Sequence, residues 1–549
     1  MQNRDSQPSS HPEGVEPQSE AEARPDTTIE TETSDSRFPS PEKFLGTLEG
    51  RGLDNQLATY RRVLAIATAL KEQGGRALLV GGSVRDVFFG QISKDFDLEV
   101  YGLEADEIEA VVQQFGKVSE VGKAFGILKV TFEGSIDIDV SLPRTDSKTG
   151  EGHRGFAVKT DPNMSFEDAA RRRDFTMNAL AADPLTGELY DFFGGLEDIR
   201  RRRLRITDAE LFKDDPLRVM RALQFIGRFG LSVDQESQPV LMEMIPLLKE
   251  LPKERIGEEW KKLLLKSDKP SLGLAAGMAL GVFNELHPEF PPLAETKQEP
   301  EWHPEGDVWV HTLMAVDEAA KIARRENISS EQSLTLLLAS LCHDIGKPAV
   351  TELEDGRIRS RGHEPAGEAP TKKFLAGIGL DSETQNKVVG LVKNHLMPTL
   401  LYSDEKERGR SVSDGAIRRL AQRIHPATIR DLVLVAEADH LGRGPFTEPE
   451  IVEQMLMPPN QYLAGPWLLD RARKLDVEDS KPADLTLGRE WLRLGFKPGR
   501  HIGDLIRLSN ELRDEKAWTR EEVLWAAHAK TSPEEVIAEL TVVLKDEHE

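Results

Sequence analysis

The chain has 549 residues, a formal net charge of -24 and a single cysteine, Cys342. That length accommodates several domains with full cores, no apolar stretch approaches a membrane span, and the N-terminus lacks the basic-then-apolar pattern of a secretory signal, so a cytoplasmic protein is expected. One cysteine excludes an intrachain disulfide or a cysteine-rich zinc site, and the acidic balance excludes a globally basic nucleic-acid binder, since phosphate affinity comes from Lys and Arg.

Residues 1–45 are rich in Pro, Ser, Glu and Thr and poor in large apolar residues. Such a segment buries too little surface to order itself, so it reads as a disordered acidic tail. Over 46–165, strand-like runs at 77–80, 96–100, 126–132 and 136–142 alternate with helical stretches at 55–71 and 104–115, which predicts a small mixed sheet with helices. From Phe166 onward the apolar residues recur three and four apart. This predicts a helical neck at 166–295, a further helical domain at 296–450 and a helical tail at 451–549. The fold class expected is therefore α+β, a mixed-sheet head followed by a largely all-α remainder.

Within the head, the run Leu78-Leu-Val-Gly81-Gly82-Ser-Val-Arg85-Asp86 reads as strand, tight turn and helix start. Glycines let a backbone approach phosphates, and a helix N-terminus offers free N–H groups to a triphosphate, with Arg85 beside it. Asp95 and Asp97 follow on an apolar strand, where side chains two apart share a face and can hold one divalent cation. Hard oxygen ligands suit Mg2+. A third carboxylate is available in the strand Ile136-Asp137-Ile-Asp139, with Asp139 the better placed of the two.

The order of these features, followed by Arg171-Arg172-Arg173-Asp174-Phe-Thr-Met-Asn178-Ala-Leu180, Asp191-Phe-Phe-Gly-Gly-Leu-Glu-Asp-Ile-Arg200 and Asp214-Asp215-Pro-Leu-Arg218-Val-Met-Arg221, resembles the signature motifs of the bacterial-type (class II) tRNA nucleotidyltransferases and their poly(A) polymerase relatives. The resemblance implies a polymerase-β-like nucleotidyltransferase head that adds CCA, or part of it, to tRNA 3′ ends from CTP and ATP without a nucleic-acid template. It implies catalytic Asp95, Asp97 and Asp139, and a nucleotide site of Gly81, Gly82, Arg85, Arg173, Asp174, Asn178, Asp215, Arg218 and Arg221. Arg173, Asp174 and Asn178 fall at the ribose, and Asp215 and Arg218 at the base edge. Two departures stand out: Asp214 occupies the usual glutamate position, and Gln224 replaces a common arginine. The arginine run 200–203 with Arg205 is either a solvated, arginine-rich turn or an RNA contact.

A second signature begins at His311, continues through His343-Asp344 at the end of an apolar helical run, and adds His363, His395 and Asp439. It resembles an HD-type metal-dependent phosphohydrolase domain. Imidazole-rich sets favour transition metals, so Ni2+, Mn2+ or Co2+ is expected there. The resemblance implies phosphatase or 2′,3′-cyclic phosphodiesterase activity, with Lys347 as a phosphate-neutralising candidate. His287, His303 and His440 carry no such signal. The segment 487–499 resembles the tail of HD-containing bacterial nucleotidyltransferases, with Lys497 and Arg500 as RNA-contact candidates.

The partners expected are tRNA, CTP and ATP, with no membrane and no DNA. Three rivals remain: a poly(A) polymerase sharing the head motifs, an inactive RNA-binding or regulatory module, and an alarmone synthetase-hydrolase. In the last the HD domain precedes the transferase, the reverse of the order here.

Overall fold

The computed structural model describes residues 37–120, 126–132, 136–148, 156–528, 530 and 532–545. The first element is helix α1 (Pro41–Gly50), capped by the Ser40 side chain, and α2 (Asp54–Glu72) follows. The tail boundary expected at 45 therefore falls inside a helix. Phe38 and Phe44 are buried, and Phe44 packs edge-on against Tyr60 and Phe96. Two aromatic residues in a polar stretch supply enough buried area to anchor it. The expected disorder of residues 1–36 lies outside the described residues.

Strand β1 (Arg76–Val80) leads through Gly81 into α3 (Gly82–Phe88), then β2 (Asp97–Tyr101), α4 (Ala105–Val112), β3 (Lys117–Glu120), β4 (Ile127–Phe132) and β5 (Ile136–Ser141). Gly81 has φ 65° and ψ −123°, a conformation that side chains with a Cβ resist, so the turn depends on glycine. A hairpin of β6 (Arg144–Lys148) and β7 (Phe156–Thr160) precedes α5 (Phe166–Arg171). The chain then adds β8 (Ala181–Ala182) and β9 (Leu189–Tyr190) to the first sheet, whose order is β3-β4-β5-β2-β1-β8-β9. Only β2 and β5 among its neighbours run parallel; the other pairs are antiparallel.

Alternation sorts the residues of this sheet. Leu79, Leu98, Val100, Val130, Ile138 and Val140 join Val63, Ile66 and Leu70 of α2 in the main core. Leu78, Val80 and Tyr101 point the other way, into a small cluster with Ala169. On that second face, Asp97 sits directly beside Asp139 in the parallel β2–β5 register.

The helical reading from Phe166 onward needs one correction. Between α5 and α6 (Gly195–Arg200) lie a 3-10 turn, Thr176–Asn178, and strands β8 and β9, so the head sheet extends past the boundary expected at 165. Two-residue strands leave no periodic trace, which is why pattern reading passes over them. Thereafter α7 (Ala209–Phe212) and α8 (Leu217–Phe229) begin a run dominated by helices, interrupted by short strand pairs such as Glu352–Glu354 with Arg357–Arg359. The last helices enclose a separate core around Trp491, Leu505 and Leu512, while Lys497 and Arg500 are exposed. Among the described residues no helix is long and apolar enough to cross a membrane.

Two candidate active sites

The second face of the head sheet, α5, α8 and the helix Lys253–Lys266 enclose a cavity of about 580 Å³. Asp97, Asp139, Arg173, Asp174, Asp215, Arg218 and Arg221 all line it. Burial first, then the neighbouring Asp139 and Asp95 carboxylates, push Asp97 up to about 6, against the pull of Arg173. One oxygen of Asp139 is buried without a hydrogen-bond partner, with Lys129 Nζ 3.9 Å away. Adjacent carboxylates that resist ionising together, one with an orphaned oxygen, are a donor set that a hard divalent cation satisfies. Asp95 is exposed just before β2, its backbone N–H donating to Ser93 Oγ, and it does not line the cavity. Asp137 is exposed and its carboxylate is 3.4 Å from Lys129 Nζ.

Around this core the arginines are held rather than free. Asp174 is buried and accepts from Phe175 N, Asn178 Nδ2 at 2.7 Å and Arg221 Nε at 2.6 Å. Burial would raise its pKa, but Arg221 and the Asn178 hydrogen bond hold it below the usual carboxylate range. Arg218 donates to the Leu211 and Arg172 carbonyls, and the Asp215 carboxylate accepts from Leu217 N and from Arg255 at 2.8 Å. Fixed guanidinium and carboxylate planes of this kind can read the edge of a base.

Arg85 is the clearest departure from expectation. It is buried, bonded to Asp86 at 2.6 and 2.9 Å and to Asn178 Oδ1 at 2.5 Å, with its guanidinium over the rings of Phe225 and Phe229. It joins α3 to α8 and does not line the cavity; neither do Gly81, Gly82 and Asn178. The arginine run also turns inward in part, since Arg203 and Arg205 both hold the fully buried Asp198. Glu99, which sequence reading missed, lines the cavity and accepts from Arg173 at 3.1 Å. Its signal was present: it continues the alternation of Asp95 and Asp97. Arg255 and Lys262 arrive from a distant helix and carry no local signal.

The second site gathers all six residues of the His-Asp pattern. The helices Val308–Arg325, Ser330–Cys342 and Ile429–Leu441 bring His311 Nε2 within 3.1 Å of both His343 Nε2 and Asp439 Oδ1. Asp344 lies between two sets, 3.2 Å from His343 and 3.3 Å from His363, and His363 Nε2 is 3.3 Å from His395 Nε2. Ring orientation is set from behind: His343, His363 and His395 place Nδ1 at 2.7–2.8 Å from the carbonyls of Ser340, Ser360 and Val392. Each Nε2 is thereby free to serve as a metal donor. His311, His343 and Asp344 form one ligand-competent triplet, and Asp344, His363 and His395 another. Burial would lower His311, but Asp439 and Glu305 raise it to about 9, whereas burial with His343 and His363 takes His395 down to about 3. Lys347 Nζ is bound to Asp344 and to Gln298, both at 2.7 Å.

Of the histidines without a sequence signal, His287 accepts from Trp260 inside an aromatic cluster and His440 bonds the Pro458 carbonyl. His303 differs, standing edge-on to His311 and lining the cavity of the second site.

Comparison with known proteins matches family models to the stretches that carry both sites. The family model for the poly A polymerase head domain matches residues 77–205, one described as "Probable RNA and SrmB- binding site of polymerase A" matches 230–293, and the HD domain model matches 308–444. The Multifunctional CCA protein of Xanthomonas campestris pv. campestris is 33% identical over 370 residues, 66% of this chain and 85% of that protein. The Multifunctional CCA protein of Pasteurella multocida is 31% identical over 407 residues, covering 73% and 90%. Among solved structures, the Bacillus stearothermophilus CCA-adding enzyme in complex with CTP shares the fold at TM-score 0.54 and 21% identity, covering 88% of this chain and 97% of that one. The nucleotidyltransferase head and HD domain each belong to classes that use divalent metals. The chain belongs to the family of multifunctional CCA proteins.

Proposed function

We propose that this protein adds CCA to tRNA 3′ ends from CTP and ATP, and that its HD site is a metal-dependent phosphohydrolase acting on phosphorylated RNA ends. The observation that carries the transferase reading is the single cavity in which the paired Asp97 and Asp139 face Asp215 and Arg218. One wall holds carboxylates for a cation at the phosphates, and the other holds fixed groups for a base. Asp95, exposed just before β2, is the carboxylate that would complete the acidic set with Asp97 and Asp139. Mg2+ bound by these carboxylates would neutralise charge developing on the leaving pyrophosphate.

The protein's own residues do the rest. Arg173, steadied by Glu99, and Arg221, steadied by Asp174, present positive charge to the triphosphate and ribose. Arg218 and Asp215 select the base by its hydrogen-bonding edge, a role that a template strand performs in other polymerases. The Asp214 and Gln224 departures leave this pair intact. In the HD site, Ni2+, Mn2+ or Co2+ held by the two triplets would polarise a phosphoryl oxygen and acidify a water. A poly(A) polymerase would use the same head but has no need for a second nucleotide.

Arg218→Ala tests the base-selection role. With tRNA lacking CCA, the wild-type protein should use CTP and ATP and reject UTP and GTP. The variant should lose about tenfold or more of that discrimination, the scale of one bidentate contact, with a smaller change in nucleotide affinity. Unchanged selectivity with affinity alone reduced would make Arg218 a phosphate contact instead.

A further inference from the structure

The cavity over the HD cluster is smaller than the head cavity, about 310 Å³, and Trp302, Lys347, Arg443, Asp344 and His363 are among its lining residues. That is the lower end of the range for small-molecule sites, about 300–1,000 Å³, and suits a single nucleotide rather than a duplex. Two of its residues, Trp302 and Arg443, are unexplained by the metal-binding pattern. Lys347 is already committed to Asp344 and Gln298. Arg443 is not: its Nη2 meets Nδ1 of His440, its Nε is buried without a hydrogen-bond partner, and among the described residues no carboxylate lies within ion-pair distance of it. A guanidinium that lines a metal site with an unused buried N–H, and with only the ligand carboxylate Asp439 as a more distant opposite charge, is a receptor for an anion bound between them.

Trp302 occupies the rim. Its loop is fastened to the hairpin Glu352–Glu354 and Arg357–Arg359 by Ile358 N donating to Glu299 at 2.9 Å and by Arg357 pairing with Glu301 at 3.2 Å. The indole is thus held half-buried at the cavity edge, while Arg443 lines the same cavity near the Asp439 ligand. Indole faces bind nucleobases without regard to sequence.

We propose that Trp302 and Arg443 form a terminal-nucleotide subsite of the HD domain, Trp302 stacking on the base and Arg443 binding the phosphate. The proposal rests on the phosphohydrolase reading only for its location. It makes the substrate a nucleotide end recognised by its base as well as its phosphate, not any phosphate ester of suitable size.

The test is calorimetric titration of the full-length protein, supplied with manganese and with saturating CTP to occupy the head, using 3′-AMP and inorganic phosphate as probes. Wild-type protein should bind 3′-AMP at least about tenfold more tightly than phosphate, the scale of one base stack. Trp302→Ala should remove that preference, Trp302→Phe should keep most of it, and Arg443→Lys should weaken both probes while preserving their ratio. Trp302→Leu replaces Trp302→Ala if melting curves show the smaller residue to be unfolded. Manganese stoichiometry should be unchanged in every variant. Failure of the wild-type protein to bind 3′-AMP, or undiminished binding in Trp302→Ala, overturns the subsite. Binding that depends on Trp302 without hydrolysis of 2′,3′-cyclic AMP supports the subsite and overturns the hydrolase reading instead.

Discussion

Asp97→Asn should reduce nucleotide addition by at least about a hundredfold while leaving the protein as stable as the wild type or more so. Loss of a cation ligand at the transferring phosphate removes several kcal/mol of transition-state stabilisation, and each 1.4 kcal/mol is about tenfold in rate. The stability half follows from the sign of the pKa shift. Asp97 is pushed up to about 6 by burial and by Asp139, so folding disfavours its charged form. Its contribution is unfavourable at neutral pH and is relieved as the pH falls through the folded value, which a neutral asparagine mimics at every pH. Single-turnover addition assays with Mg2+ supplied, and denaturant melts without it, on the same preparation check both halves. Near-normal addition, or a collapse of stability, would contradict the assignment.

Asp344→Asn should behave in the opposite way. Its carboxylate is shared by both histidine triplets, so the change should abolish metal-dependent hydrolysis and lower transition-metal binding at both positions. It should also destabilise the protein, because the buried Lys347 loses its charged partner at 2.7 Å. Breaking a buried pair by removing one member costs about 3–5 kcal/mol. Burial opposes ionisation of Asp344, but His343 and Lys347 hold its pKa well below the usual value. The stabilisation it confers is present above the unfolded carboxylate pKa and fades as the pH drops towards the folded one. Nucleotide addition should persist, since the head ligands lie on β2 and β5, far along the chain. His363→Ala, which spoils only the second triplet, should retain about half the bound metal. Loss of addition in Asp344→Asn protein that remains folded would show that the two sites are coupled.

These contrasts show what a sequence can disclose. The strands that carry Asp97 and Asp139 were legible because apolar runs and alternation mark them, and all six HD residues were legible because the metal-binding pattern fixes their order. The placement of Arg85 was not, because nothing local reveals that a motif arginine is buried over Phe225 and Phe229, well over 100 residues later. Arg255 reaches Asp215 only through packing of the helix Lys253–Lys266 on α8, a tertiary fact. Phe38 and Phe44 show the converse, where composition averaged over a polar segment hid two anchors. Likewise β8 and β9 are too short for any period, and become strands because β1 offers an edge to β8 and β8 in turn offers one to β9.

The most direct test of the central claim is to sequence the 3′ ends of tRNAs lacking A, CA or CCA after incubation with the full-length protein, CTP, ATP and Mg2+. CCA addition by this protein predicts that all three substrates end in CCA and that addition stops there. Long adenosine tails, or ends left incomplete at CC with ATP present, would contradict it.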